Sequence, residues 1–272
     1  IMDNRPVGVF DSGLGGLTAA RKIRSILPSE NIIYFGDTSR VPYGGRSREI
    51  LLKYARQDVR FLRSFDIKAI VVACGTVSTT CLPQLQAEND LPVLGVVEPA
   101  CRRAVAVSKT RHVGLIATAA SVRSGTYEQI IHALDPDVTV TARACPLFVP
   151  LVENGRYERG DVVIETVARE YLEPIRGSGI DTLILGCTHY PLLMDLIGEI
   201  MGPEVTLIDT GEEAAWELKR TLKAKDLLSD RAQEGTTTLY ASDQPEDFGL
   251  MAKHFLQEEL TSPVLQVNID RY

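Results

Sequence analysis

Leu183-Ile184-Leu185-Gly186-Cys187-Thr188-His189-Tyr190-Pro191-Leu192-Leu193 puts a cysteine and a histidine directly after a short apolar run. The run has a twin. Ile67-Lys68-Ala69-Ile70-Val71-Val72-Ala73-Cys74-Gly75-Thr76 reads in step with the ten residues 180–189, and each apolar run ends in a small residue followed by cysteine. Short apolar runs of this kind read as buried strands. Cys74 and Cys187 therefore occupy equivalent positions, 113 residues apart, at the carboxyl ends of two strands.

Outward from this pair the doubling continues. His112–Thr118 echoes Pro6–Ser12, Val149-Pro150 repeats Val41-Pro42, and Pro203–Asp209 echoes Pro92–Glu98, all in the same order. Pro6–Asp11 reads as a buried strand, Ser12–Gly16 as a glycine-rich turn, and Leu17–Leu27 as the helix it opens. Asn31–Gly36 is a second strand, Ser47–Ser64 an amphipathic helix, and Ala69–Ala73 a third strand, after which Thr76–Thr80 could cap and begin a helix. Pro92–Val97 reads as a fourth strand ending at Glu98-Pro99. A helix at Glu212–Leu228, a strand at Thr236–Ala241 and a helix at Glu246–Leu260 have no counterpart in the second half, so they are expected to pack on the first. The fold class this predicts is α/β: two similar open, mostly parallel α/β domains related by pseudo-symmetry, with the active site in the cleft between them. The first domain is expected to take residues 1–98 plus 208–272 and the second 99–207, with short hinges near Glu98-Pro99 and Asp209-Thr210.

Composition limits the partners. With 44% hydrophobic and 24% charged residues and no low-complexity tract, the chain is ordinary globular protein. A net charge of −7 without a lysine/arginine stripe argues against nucleic acid and for a small-molecule ligand. No apolar stretch approaches the ~20 residues of a membrane span, and Met2-Asp3-Asn4-Arg5-Pro6 lacks the apolar core of a signal peptide, so a cytoplasmic protein without membrane contact is expected. Five cysteines, odd in number and widely spread, suit reduced thiols better than a disulfide framework. A homodimer is expected on base rates alone.

In open α/β sheets ligands bind beyond the carboxyl ends of the strands, where Asp11, Cys74 and Cys187 all fall. Two thiols facing each other across a cleft suit removal of a proton from one face of a carbon and its return to the other. One thiolate acts as base and the opposing thiol as acid, since the ordinary cysteine pKa of about 8.5 lies near working pH. Plainer readings stand beside this one. A strand-end cysteine taken alone is usually a small buried hydrophobe; the repeat and the Thr188-His189 context favour function for this pair, whereas Cys81, Cys101 and Cys145 read as structural. Asp11 could cap its turn, His189 could be a core histidine, Glu153 and Asp37 could be solvated loop carboxylates, and Tyr43 could pack across its loop. Gly13-Leu14-Gly15-Gly16, with Asp37 after the second strand, imitates a dinucleotide fingerprint whose third glycine is replaced by Thr18, which makes a nicotinamide oxidoreductase one alternative. Zinc held by Cys74, Cys187 and His189 is another. A catalytically silent two-lobed protein that closes on a small acid is a further one.

Six segments carry a family resemblance: Val9–Gly16, Tyr34–Asp37, Val41–Gly44, Ala73-Cys74, Cys145–Glu153 and Gly186–Leu192. Across residues 7–211 they resemble the glutamate racemases of the aspartate/glutamate racemase family. The resemblance implies cofactor-independent interconversion of L- and D-glutamate, feeding D-glutamate to bacterial peptidoglycan. It implies an acid/base pair at Cys74 and Cys187, with Asp11, Glu153 and His189 assisting and Asp37 a further candidate. Substrate contacts are implied at Asp11, Ser12, Tyr43, Gly44, Gly75, Thr76, Thr118, Ser121, Thr188 and His189. Two positions depart from the family pattern: Gly75 stands where asparagine is usual, and Ser121 where threonine is common. Aspartate racemase shares the two-thiol plan, but His189 favours glutamate, because the aspartate enzymes usually carry an acidic residue after Cys-Thr.

Overall fold

The computed structural model describes residues 3–272, so the Met2 end of the segment read for a signal sequence lies outside the described residues. The first run comprises β1 (Val7–Asp11), α1 (Leu17–Ile26), β2 (Ile32–Gly36), α2 (Arg48–Arg63), β3 (Ala69–Val72), α3 (Gly75–Thr80), α4 (Leu82–Ala87) and β4 (Val93–Leu94). The second comprises α5 (Val97–Val107), β5 (His112–Ala117), α6 (Ala119–Ser124), α7 (Thr126–Leu134), β6 (Thr139–Ala144), α8 (Phe148–Glu153), α9 (Val162–Arg176), β7 (Thr182–Gly186), α10 (Met194–Met201) and β8 (Thr206–Asp209). The chain then passes through α11 (Thr210–Ala224) to β9 (Thr237–Ala241), α12 (Pro245–Leu256) and β10 (Leu265–Gln266).

Two parallel sheets result, ordered β10-β9-β2-β1-β3-β4 and β6-β5-β7-β8. The four-strand order β2-β1-β3-β4 is the order β6-β5-β7-β8 shifted by one repeat. Pairing follows the sequence match: Val7 lies beside Ala69, and Val113 beside Thr182. Strands β1, β2, β3 and β7 are buried along their whole length. Helices cover both faces of such sheets, which is why their strands read as unbroken apolar runs instead of alternating ones. The C-terminal segment adds β9 beside β2, extending the first sheet as expected.

Local chemistry sets the helix ends. Ser47 Oγ accepts from the Ile50 N–H (3.3 Å) and starts α2, whose Leu51, Ala55, Val59 and Leu62 form one buried face. Asp209 Oδ1 accepts from the Gly211 and Glu212 N–H groups (2.9 and 3.2 Å), so α11 begins at Thr210 and ends at Ala224, not at the expected Glu212 and Leu228. Three other expectations are corrected. The fourth strand is only Val93–Leu94, because Val97, Pro99, Ala100, Cys101 and Ala104 face the core from α5, and proline is accommodated in a first helical turn. Glu98 and Pro99 therefore lie inside a helix. The helix α3 begins at Gly75, one residue before Thr76, with Cys74 in the N-cap position. The helix α12 stops at Leu256, and β10 is too short and exposed to leave a periodic signal.

The apolar core is continuous between the sheets. It joins Val9, Leu17 and Ile23 to Leu185, Tyr190 and Leu193, and to Ala215 and Leu218 of α11. No helix among the described residues is long and apolar enough to cross a membrane.

Candidate active site

The glycine-rich turn after β1 is shaped by the segment that follows β7. A Cβ on Gly15 would stand 2.4 Å from His189 Nδ1 and 2.5 Å from Thr188 Oγ1, and one on Gly16 would stand 2.5 Å from Asp11 Cβ. Thr18 Oγ1 donates to the Thr188 carbonyl at 2.7 Å. The glycines thus let the two halves dock, and the space a pyrophosphate would need beside Gly15 is filled by protein. This overturns the dinucleotide reading of the motif. The Gly15→Ala protein is expected to lose about 1–3 kcal/mol of stability through overpacking, together with activity, because the displaced neighbour is His189. Urea unfolding measures the first effect and turnover the second; an unchanged midpoint would show that the turn can yield.

His189 is buried between two partners. Its Nδ1 lies 3.7 Å from Cys187 Sγ and its Nε2 lies 2.8 Å from Glu153 Oε1, while the Phe255 ring meets it edge-on. Burial pushes its pKa down, but the hydrogen bonds to Cys187 and Glu153 and their charges outweigh this and raise it to about 10. His189 is consequently a cation at neutral pH. Glu153 closes α8 at the cavity rim, partly exposed yet paired with this cation.

The imidazolium also links pH to stability. From pH 6.5 to about 10 the folded protein holds a proton that an unfolded histidine has released. Its stabilisation is complete below about 6.5 and is lost as pH rises through about 10. Between pH 7 and 10 the unfolding midpoint should accordingly fall more steeply for the native protein than for His189→Asn. Parallel slopes would assign the alkaline loss to other groups.

On the opposite side, Cys74 lies two residues beyond β3, at the N-cap of α3, and is buried. Burial, then the negative charge of Asp11, push its thiol up to about 12; hydrogen bonding from Val77 and Ser12 offsets this only partly. Cys74 rests as a neutral thiol. Asp11 Oδ2 accepts from the Gly13 and Gly16 N–H groups (3.1 and 2.9 Å), so the residue caps its turn and also borders the cavity. The strand ends bearing the two cysteines approach closely: a Cβ on Gly75 would stand 3.3 Å from the Gly186 carbonyl oxygen.

One cavity of about 510 Å³ receives all of these groups. Asp11, Ser12, Tyr43, Gly44, Cys74, Gly75 and Thr76 line it from the first half, and Thr118, Ser121, Glu153, Cys187, Thr188 and His189 from the second. A hollow of about 590 Å³ elsewhere, bordered by Arg5, Arg63 and Lys68, holds none of them. Among the described residues no lysine or arginine borders the thiol cavity. Among the described residues no group of three or more His, Cys, Asp or Glu side chains is disposed to hold a metal ion.

Some placements differ from expectation. Asp37 is not a solvated loop carboxylate: it is fully buried, pairs with Arg40 (2.6 Å), and is not among the cavity residues. Tyr43 borders the cavity, but its hydroxyl meets Asp37 and Asp58 instead. Thr118 Oγ1 accepts the Ser121 N–H (3.4 Å) and caps α6. The wall formed by Ala119, Ala120, Cys145, Pro146, Val149 and Pro150 was not anticipated. Its signal lay in the repeat, because Val149-Pro150 is the counterpart of Val41-Pro42 and both pairs border the cavity.

A fold of two matched parallel α/β sheets with paired thiols between them defines a class, and sequence comparison gives it a family. The profile of the Asp/Glu/hydantoin racemase family matches residues 21–218. A glutamate racemase of Geobacter metallireducens is 44% identical over 98% of this chain and 97% of its own. The crystal structure of a Bacillus anthracis glutamate racemase superposes with a TM-score of 0.93 at 37% identity, covering 97% of this chain and 98% of that one. That of a Francisella tularensis glutamate racemase in complex with D-glutamate gives 0.90 at 38% identity, with both chains fully covered. The chain belongs to the Asp/Glu/hydantoin racemase family, and it is an isomerase.

Proposed function

We propose that the protein interconverts L- and D-glutamate without a cofactor, by a two-cysteine acid/base mechanism, and so supplies D-glutamate for peptidoglycan synthesis in the cytoplasm. The observation that carries this is the arrival of Cys74 and Cys187 in one cavity from equivalent strand ends. Binding of D-glutamate by the Francisella tularensis relative supports the choice of substrate. The domain division into 1–98 plus 208–272 and 99–207, and a homodimeric state, are part of the same proposal.

With the substrate Cα between the thiols, Cys187 as thiolate takes the α-proton, and the Cys74 thiol gives its proton to the opposite face. This leaves Cys187 as thiol and Cys74 as thiolate, the starting state for the reverse reaction. The His189 cation offsets the negative charge on Cys187 when it is the base. A substrate ammonium beside Asp11 would offset the charge that raises Cys74, easing its turn as base. The α-proton is very weakly acidic, so the developing negative charge must be met by fixed donors in a site closed to water. The hydroxyls of Ser12, Thr76, Thr118 and Thr188, all on residues that line the cavity, and the strand-end amides would supply them. Neutral donors would hold both carboxylates without a deep ion pair.

The test is circular dichroism of L- and D-glutamate, beside L- and D-aspartate, with purified protein, no added cofactor and excess chelator. Loss of optical activity from both glutamate enantiomers is expected. Turnover of aspartate alone, or a requirement for an added cofactor or metal, would refute the assignment.

A further inference from the structure

Beneath the first-half lip of the cavity lies a buried polar cluster that the proton transfers do not use. Arg40 Nε donates to Asp37 Oδ2 (2.6 Å), its Nη2 to Asp58 Oδ1 (3.0 Å) and its Nη1 to Gln57 Oε1, while the guanidinium lies 4.1 Å over the Tyr54 ring. Both carboxylates are fully buried. The Tyr43 hydroxyl stands 2.9 Å from Asp58 Oδ2 and also meets Asp37 Oδ2. Ser242 Oγ donates to Asp37 Oδ1 (2.9 Å) and accepts the Ser39 N–H (2.8 Å). Contacts from α2 and the end of β9 therefore converge on the segment 38–45, whose Val41–Gly45 part forms the lip.

Counting protons shows how the cluster is held. Tyr43 has one hydroxyl proton, yet a carboxylate oxygen faces it on each side. With both acids ionised, one contact would set acceptor against acceptor and the cluster would bury an uncompensated negative charge. One proton on Asp58 Oδ2 resolves both problems: Asp58 donates to Tyr43, Tyr43 donates to Asp37, and Arg40 neutralises Asp37. Burial, followed by the charge of Asp37, pushes Asp58 well above the usual carboxylate range, against the opposing pull of Arg40 and Tyr43. Asp11 adds a smaller push in the same direction.

We propose that Arg40 and a neutral Asp58 are positioning residues, which hold Tyr43 and with it the Val41–Gly45 lip in the shape that binds substrate. The proposal rests on the racemase activity inferred above. Because neither residue borders the cavity, their loss should weaken binding of ground state and transition state alike. Asp58→Asn preserves the arrangement, since the amide nitrogen donates to Tyr43 and the amide oxygen accepts from Arg40. Asp58→Ala and Arg40→Gln break it.

Glutamate racemisation by the full chain, analysed as separate kcat and KM, provides the test. KM should rise about tenfold or more in Asp58→Ala and Arg40→Gln, with kcat within about threefold of native, whereas Asp58→Asn should leave both within about threefold. Asp58→Asn raising KM as much as Asp58→Ala would overturn the neutral carboxyl. Unchanged KM in Arg40→Gln, or a loss confined to kcat, would overturn the positioning role even if Asp58→Ala fails to fold. Native protein that does not racemise glutamate would instead refute the activity on which the proposal rests.

Discussion

Serine in place of Cys74 or Cys187 is expected to lower kcat/KM for glutamate racemisation by roughly 10²–10⁴-fold, the range that a positioned proton-transfer group contributes. A serine hydroxyl occupies nearly the same space but is far too weak an acid to exchange a proton with Cα. Enantiomers have equal free energy in water, so the loss in kcat/KM must be the same in both directions. The sides of the site are told apart by exchange in deuterium oxide. Each single variant keeps one thiol, and should wash the α-proton only from the enantiomer that presents it to that thiol. Cys74→Ser and Cys187→Ser should thus show opposite preferences. Exchange of both enantiomers by either variant would contradict a one-thiol-per-face site.

Replacement of His189 by asparagine is expected to lower kcat/KM by about 10- to 10²-fold, corresponding to one lost charge-assisted hydrogen bond of about 1.5–3 kcal/mol. The cause is specific: the cation 3.7 Å from Cys187 disappears, and Glu153 loses its partner. Glu153→Gln keeps the imidazole in place and should cost less, because the rim carboxylate is partly exposed. Steady-state kinetics on both variants checks the ranking. A larger loss in Glu153→Gln than in His189→Asn would mean that Glu153 itself handles a proton, and not that it acts through His189.

The repeat made much of this legible. Equivalent apolar runs ending at Cys74 and Cys187 predicted two similar, mostly parallel sheets, and the strand ends with the loops and helix starts that follow them bring every anticipated contact residue to one cavity. Local patterns failed where distant partners decide. The apolar residues of Pro92–Val97 suit a strand or the opening of a helix, and burial of Ala100, Cys101 and Ala104 against the second sheet selects the helix. Asp37 resembles a surface loop carboxylate because its side-chain partners are Arg40 and Tyr43 within the same loop and Ser242 two hundred residues onward. Gly15 resembled part of a phosphate-binding turn because nothing local reveals that His189 and Thr188 pack on it. The proton shared around Tyr43 is invisible in sequence, since it follows from three side chains, Asp37 and Tyr43 of one loop and Asp58 of α2, brought together in the fold.

Conversion of L-glutamate in deuterium oxide by the native protein, followed by proton NMR during the first tenth of the reaction, bears most directly on the two-thiol site. One thiol removes the α-proton and the opposing thiol, already exchanged with solvent, supplies a deuteron. The D-glutamate formed should therefore carry deuterium at Cα almost completely, while the remaining L-glutamate keeps protium. The same pattern should hold from D-glutamate. Substantial protium at Cα of the newly formed enantiomer would mean that a single group carries the proton across, and would contradict the account.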